Sequence, residues 1–168
     1  MNRHPIVSSA HLVSEQSREL SKFEFALNRA INACHHWIVR CMAAAGQDGL
    51  GALDVLVLHL MNHREQEKRL SDLCFLLNIE DSYVFNHSLK KLARLDLVTA
   101  HRRGKKTFHA TTEAGLAACR RYWEIRESCL IANHAAPGQD NQGIGEVARL
   151  LRVLSGLYDQ AARTAATL

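Results

Sequence analysis

Residues 70–111 read LSDLCFLLNIEDSYVFNHSLKKLARLDLVTAHRRGKKTFHAT. Ser71 is an N-cap candidate for a short helix whose Leu73, Leu76 and Leu77 are core candidates. Asn78 follows, one of the few residues besides glycine that takes the left-handed conformation of a tight turn. Ile79 is suited to plug the space between two helices. Asp81 then caps another helix, running to Leu95, with Phe85, Leu89 and Leu92 spaced four and three along one face. The opposite face holds Ser82, Tyr83, Asn86, His87 and Lys90. Residues 97–101 and 107–111 are short, partly β-branched runs around the charged turn Arg102-Arg103-Gly104-Lys105-Lys106, the pattern of a hairpin. Helix, turn, helix and hairpin in that order make a winged helix-turn-helix.

The flanks are helical. Residues 15–45 carry Leu20, Phe23, Leu27, Ala30, Ile31, Cys34, Ile38, Cys41 and Met42 at three-four spacing. At ~1.5 Å per residue such a helix runs roughly 45 Å, longer than a small domain needs for its own core. Gly46-Gln47-Asp48-Gly49 ends it, and a second helix from Ala52 to about His63 buries Leu53, Leu56, Val57 and Leu60. After the hairpin, Thr112-Glu113-Ala114-Gly115 opens a long helix to about His134. Residues 135–143 read as a connector, and a last helix from Ile144 to Arg163 carries Val147, Leu150, Leu151, Leu154, Leu157 and Tyr158 on one side. Only two prolines, Pro5 and Pro137, occur in 168 residues, which favours helix over loop-rich β structure. The fold class expected is mainly α with a small β-hairpin wing.

Charge is concentrated rather than large. The chain carries a net +4, yet residues 90–106 hold seven Lys/Arg against the single acid Asp96. A basic patch on a near-neutral body points to a polyanion at one face. In a helix-turn-helix the second helix lies in the major groove with its polar face on base edges. Ser82, Tyr83, Asn86 and His87 are the candidate base readers, and Asn bonds an adenine edge in a bidentate way. Lys90 suits a flanking phosphate, and Arg102, Arg103, Lys105 and Lys106 suit phosphate or minor-groove contact. Double-stranded DNA is therefore the expected partner. The competing reading is a winged-helix protein-protein interaction module, which would more often carry an apolar patch on this face.

The sequence resembles the MarR family of winged-helix regulators. The resemblance rests on Leu53-x-x-Leu56-x-x-x-Leu60, on Leu70, Ser71 and Leu73 entering the helix-turn-helix, on Leu92-x-x-Leu95-Asp96-Leu97-Val98 before the wing, and on Thr112-Glu113-Ala114-Gly115 after it. The sequence departs from the family pattern in three ways. Asp96 stands where glycine is usual, the wing is shorter and lacks an Asp-x-Arg pair at its tip, and His87 stands where a cation is common. The resemblance implies a homodimer built by the first and last two helices, on a pseudo-palindromic operator. It also implies a small-molecule effector pocket between those helices and the DNA-binding part. Residues 1–14 are then a flexible tail, 15–50 the N-terminal dimerisation helix, 51–112 the winged helix-turn-helix and 113–168 the C-terminal dimerisation helices.

Other chemistry finds little support. No phosphate loop, nucleophile constellation or glycine-rich cofactor motif occurs, so neither an enzyme nor a cofactor is expected. The five cysteines (Cys34, Cys41, Cys74, Cys119, Cys129) show no paired spacing and read as reduced and mostly buried. His59 and His63 are four apart on one helix, and His35 and His36 are adjacent, but no local spacing completes a metal site. Trp37, Tyr122 and Trp123 are candidates both for a ligand pocket and for plain core. No apolar run is long enough to span a membrane and the start has no signal-peptide core, so a cytoplasmic protein is expected.

Overall fold

A computed structural model describes residues 17–63, 66–134 and 141–168. The tail expected over residues 1–14 and most of the connector lie outside them. The elements are α1 (Arg18–Ala44), α2 (Ala52–Asn62), α3 (Leu70–Leu77), α4 (Ser82–Arg94), β1 (Val98–Arg103), β2 (Lys106–Thr111), α5 (Glu113–Arg126), a π turn (Glu127–Ile131), α6 (Ala132–His134) and α7 (Asn141–Ala165). The expected architecture is present: mainly helix, with one two-stranded antiparallel wing. The described residues through Glu127 form one compact unit and Ser128–Leu168 a second.

The core of the first unit gathers one face from each helix. Ile38, Cys41, Met42 and Ala45 at the end of α1 meet Val55, Val57, Leu58 and Met61 of α2, Leu73 of α3, Phe85, Leu89 and Leu92 of α4, and Ala118, Cys119 and Tyr122 of α5. The face expected for α2 was too narrow. Val57 is buried, but Leu53, Leu56 and Leu60 are half-buried, while Val55, Leu58 and Met61 are fully enclosed. α2 is surrounded by α1, α4, α5 and β2, so a one-sided stripe underestimates its burial.

Two corners depend on left-handed backbone. Asn78 closes α3 at φ 53°, as expected, and donates its backbone N–H to Phe75. Asp96 sits at φ 55° between α4 and β1, the conformation that glycine adopts without cost. Its carbonyl accepts the Thr112 hydroxyl at 2.5 Å, and that oxygen in turn accepts the backbone N–H of Gly115 at 3.1 Å. Thr112 thereby caps α5 and ties it to the start of the wing.

The structure corrects several details. Ser71 lies inside α3 rather than capping it. The cap is Arg69, whose backbone N–H donates to the Asp72 carboxylate at 2.9 Å. Leu76 is half exposed, not core, because α3 spans only two turns and Leu73 alone points fully inward. The hairpin turn is shorter than expected. Arg102 and Arg103 belong to β1, Lys106 opens β2, and Gly104-Lys105 alone makes the turn, with Gly104 at φ 60°. The helix after Thr112 is broken by the π turn at Glu127, and the last helix begins at Asn141. The cysteines are not mostly buried: Cys41 and Cys119 are, Cys74 is half-buried, and Cys34 and Cys129 are exposed.

Gly115 is required by packing. A Cβ there would collide with the Leu97 carbonyl and come within 2.7 Å of Thr111 Cγ2. Gly115→Ala is expected to lower the unfolding free energy by about 2–3 kcal/mol, the scale of core overpacking. Gly145→Ala, where an added Cβ meets nothing, should be neutral or slightly stabilising. Urea unfolding followed by circular dichroism checks both.

Candidate nucleic-acid interface

α4 is the element on which any groove contact depends. Asp81 caps it, accepting the Tyr83 backbone N–H at 2.8 Å. Phe85, Leu89 and Leu92 sink its inner face into the core. A polar clasp then fixes its rotation. Asp54, near the start of α2, accepts Ser88 Oγ at 2.7 Å, Lys91 Nζ at 2.6 Å and the Gly51 backbone N–H at 2.8 Å. Burial alone would raise the Asp54 pKa. The Lys91 ammonium, with Ser88 and Gly51, outweighs burial and holds the carboxyl below its usual 3.8.

With the inner face held, the outer face is defined. Ser82, Tyr83, Asn86, His87 and Lys90 are all exposed, on one side of α4, and Tyr83 is 74 % exposed. Sequence periodicity alone places these five correctly.

The wing cations do not share one role. Arg103 bonds Glu67 at 3.0 Å and stacks over Phe108, with its guanidinium carbon 5.5 Å from the ring centre. His101 Nε2 also lies 3.0 Å from Glu67. Arg103 therefore holds the wing to the segment before α3, with the His101 ring beside the same carboxylate. Arg102 folds its Nε onto the Gly104 carbonyl at 3.1 Å, while Lys105 and Lys106 are exposed at the turn. Lys68 anchors the hairpin further. Its backbone exchanges two 2.9 Å hydrogen bonds with His109, and its buried ammonium donates to the carbonyls of Met61, His63 and Gln66. The wing thus gains a third backbone partner that the sequence did not announce.

Between α3, α4 and the wing runs a groove of about 500 Å³. It is lined by Arg69, Leu70 and Ser71 before and in α3, by Asn86, Leu89, Lys90 and Ala93 of α4, and by Ala100, Lys106, Thr107 and His109 of the wing. Three of these, Asn86, Lys90 and Lys106, are site residues expected from sequence. Arg69, Ser71, Thr107 and His109 are not, because only tertiary packing brings them alongside.

A second cavity, about 490 Å³, lies between α2 and α5. His59, Cys119, Tyr122, Trp123, Arg120 and Arg126 line it. Tyr122 and Trp123 are thus pocket residues, whereas Trp37 packs against the core. His59 meets Tyr122 edge-on at 4.4 Å, and burial pushes its pKa below 6.5. Burial also raises the Cys119 thiol to about 11 and the Tyr122 hydroxyl to about 12, so neither ionises near neutral pH. Among the described residues, no group of three or more His, Cys, Asp or Glu side chains is placed to hold a metal ion. No described helix is long and apolar enough to cross a membrane.

Removing the clasp should be costly. Asp54→Ala leaves the Lys91 ammonium and the buried Ser88 hydroxyl without their acceptor, for an expected loss of about 2–3 kcal/mol. That is below the figure for a fully buried pair because Lys91 is partly solvated. Since the Asp54 pKa is depressed on folding, its contribution is fully present above pH 3.8 and lost as pH falls through the lower folded value. Unfolding curves for wild type and Asp54→Asn from neutral to acid pH should therefore converge at the acid end.

Residues 50–115 match the family model described as winged helix DNA-binding domain. A search of curated protein sequences gave no significant match. Among solved structures, AbfR of Staphylococcus epidermidis superposes with a TM-score of 0.70 at 16 % identity, covering 87 % of this chain and 95 % of that one. AbsC, a MarR family transcriptional regulator from Streptomyces coelicolor, gives 0.61 at 16 %, covering 84 % and 96 %. The M. tuberculosis transcriptional regulator MosR, solved in complex with DNA, gives 0.61 at 15 %, covering 79 % and 96 %. The chain therefore carries a winged helix domain set within the fold of the MarR-family transcriptional regulators.

Proposed function

We propose that this chain is a homodimeric, sequence-specific DNA-binding regulator of transcription, non-enzymatic, whose α4 enters the major groove while the wing rides the adjacent backbone. The observation that carries the reading is the division of α4 into two faces. Three apolar residues and the Asp54 clasp hold one face, and the other presents the polar groups of Ser82, Tyr83, Asn86, His87 and Lys90. Asn86 and His87 have the donors and acceptors to read base edges, with Ser82 and Tyr83 beside them. Lys90, Arg102, Lys105 and Lys106 neutralise phosphates, and Arg103 serves by holding the wing in place. That MosR was solved on DNA with the same fold supports this reading.

The dimer reading rests on apolar surface that the described residues leave exposed. α7 has no buried residue, and Ile144, Val147, Leu150, Val153 and Leu157 are each about half exposed or more. In α1, Leu20 and Ile31 are each 40 % exposed. A second copy is the partner that covers such helices in this reading. The reading includes a small-molecule effector, and the cavity beside His59 is where it would act.

The test is a binding titration of the purified protein at two salt concentrations, on DNA from upstream of its own gene and on random-sequence DNA. Arg102→Ala combined with Lys105→Ala and Lys106→Ala is expected to weaken binding to both. It should flatten the slope of log K against log salt by about 0.9 for each phosphate no longer neutralised. Asn86→Ala is expected to cost about 1–3 kcal/mol on the upstream DNA and almost nothing on random DNA. Equal affinity for both DNAs, unchanged by either variant, would favour the protein-protein adaptor instead.

A further inference from the structure

The groove between α3, α4 and the wing has a composition that base reading does not explain. None of its lining residues is acidic, and three of them, Arg69, Lys90 and Lys106, are permanent cations. Thr107 adds a hydroxyl donor, and the Ser71 hydroxyl, leaning on Asp72 at 3.4 Å, lies beside it in the wall. The rest of the wall is mostly apolar, from Leu70, Leu89, Ala93 and Ala100. Cations and hydroxyls beside an apolar strip match a phosphodiester with its deoxyribose. His109, half-buried on β2, is the one titratable group in this wall with a neutral form near pH 7.

We propose that this groove seats one phosphate of the DNA backbone with its sugar, and that His109 takes up a proton as the phosphate enters. The inference rests on the DNA-binding reading. Three cations share the groove wall with His109. Lys106 lies on its own strand, His101 on β1, Lys90 on α4, and Arg69 at the start of α3 with its guanidinium held by Asp72 at 2.8 Å. Lys68 pairs with His109 through the backbone but turns its ammonium onto carbonyls, and Glu67 is occupied by His101 and Arg103. Nothing anionic in this set is aimed at His109. Burial first, and then the His101 charge, hold its pKa below 6.5. The free groove therefore has a neutral imidazole at neutral pH. A phosphate beside the ring favours the imidazolium, so the complex binds a proton that the free protein does not. Affinity then rises as pH falls from the alkaline side, and levels off only below 6.5, once the free form is also protonated.

The experiment measures affinity for a short random-sequence duplex across about pH 6 to 8 at constant ionic strength, since His is the side chain that titrates there. Wild type, His109→Gln and, as a control away from the DNA face, His35→Gln on α1 are compared, all as the full chain. In parallel, the His109 ring protons of wild type are titrated by NMR alone, with the duplex, and with inorganic phosphate. Wild type and His35→Gln are expected to tighten by up to about tenfold per pH unit for each groove occupied. His109→Gln should be flat, with the affinity wild type shows at the alkaline end. The duplex should move the His109 midpoint upward, and inorganic phosphate should not. The NMR arm reports on the wild-type fold, so it stands even if the variant is unstable. Duplex binding without pH dependence, or pH dependence retained in His109→Gln, overturns the proposal and leaves the DNA reading intact. An equal shift with inorganic phosphate overturns it in favour of a free-anion site. Absence of duplex binding at every pH overturns the DNA reading itself.

Discussion

One carboxylate organises the half of this protein that carries α4 and the wing. Asp54 closes the first turn of α2 through the Gly51 N–H and reaches across to Ser88 and Lys91 on α4. Apolar packing by Phe85, Leu89 and Leu92 is non-directional and would tolerate a small roll of α4. Two directional bonds from α4 to one carboxylate that Gly51 fixes in place remove that freedom. A roll of one residue, about 100°, would carry Asn86 out of the outward face. The exposure of Ser82, Tyr83, Asn86, His87 and Lys90 on a single side is thus a consequence of a contact on the opposite side of the helix.

The wing is fixed by a second set of contacts with the same logic. Thr112 joins the Asp96 carbonyl to the first turn of α5, and Gly115 lets α5 approach the Leu97 carbonyl. At the other end, Lys68 pairs with His109, and Glu67 draws in Arg103 and His101. The basic charge seen in the sequence is therefore divided. Arg103 holds the hairpin, Lys91 holds α4 to Asp54, and Lys90, Arg94, Arg102, Lys105 and Lys106 stay at the surface. A count of cations overstates the number available to a phosphate by the two that Glu67 and Asp54 hold.

What could be read from the sequence is what is decided locally. Asn78, Asp81, Thr112 and Gly104 announce turns and caps because their effect acts within a few residues. The four-three spacing of Phe85, Leu89 and Leu92 specifies both faces of α4 at once. The wing and the flanking helices are legible in the same way, from two short β-branched runs around Gly104 and from three-four apolar spacing, and they stand in the order expected. What could not be read depends on distant partners. Ser71 has the chemistry of a cap, but the Arg69–Asp72 pair takes the position. Asp54 looks like an ordinary first-turn acid until Ser88 and Lys91, 34 and 37 residues away, are folded against it. His109 and Arg69 join the candidate interface only because the wing folds back over α3. The broader burial of α2 and the exposure of Cys34 and Cys129 likewise follow from which neighbours surround each helix. That is information a periodicity does not contain.

On this reading α4 works in pairs, with the exposed apolar sides of α1 and α7 providing the join. The most direct test is a hydroxyl-radical footprint on duplexes selected from a random pool by the purified protein. Two protected segments related by a two-fold axis, their centres one helical turn or ~34 Å apart, are predicted. A single unrepeated footprint, or no selected sequence at all, would contradict it.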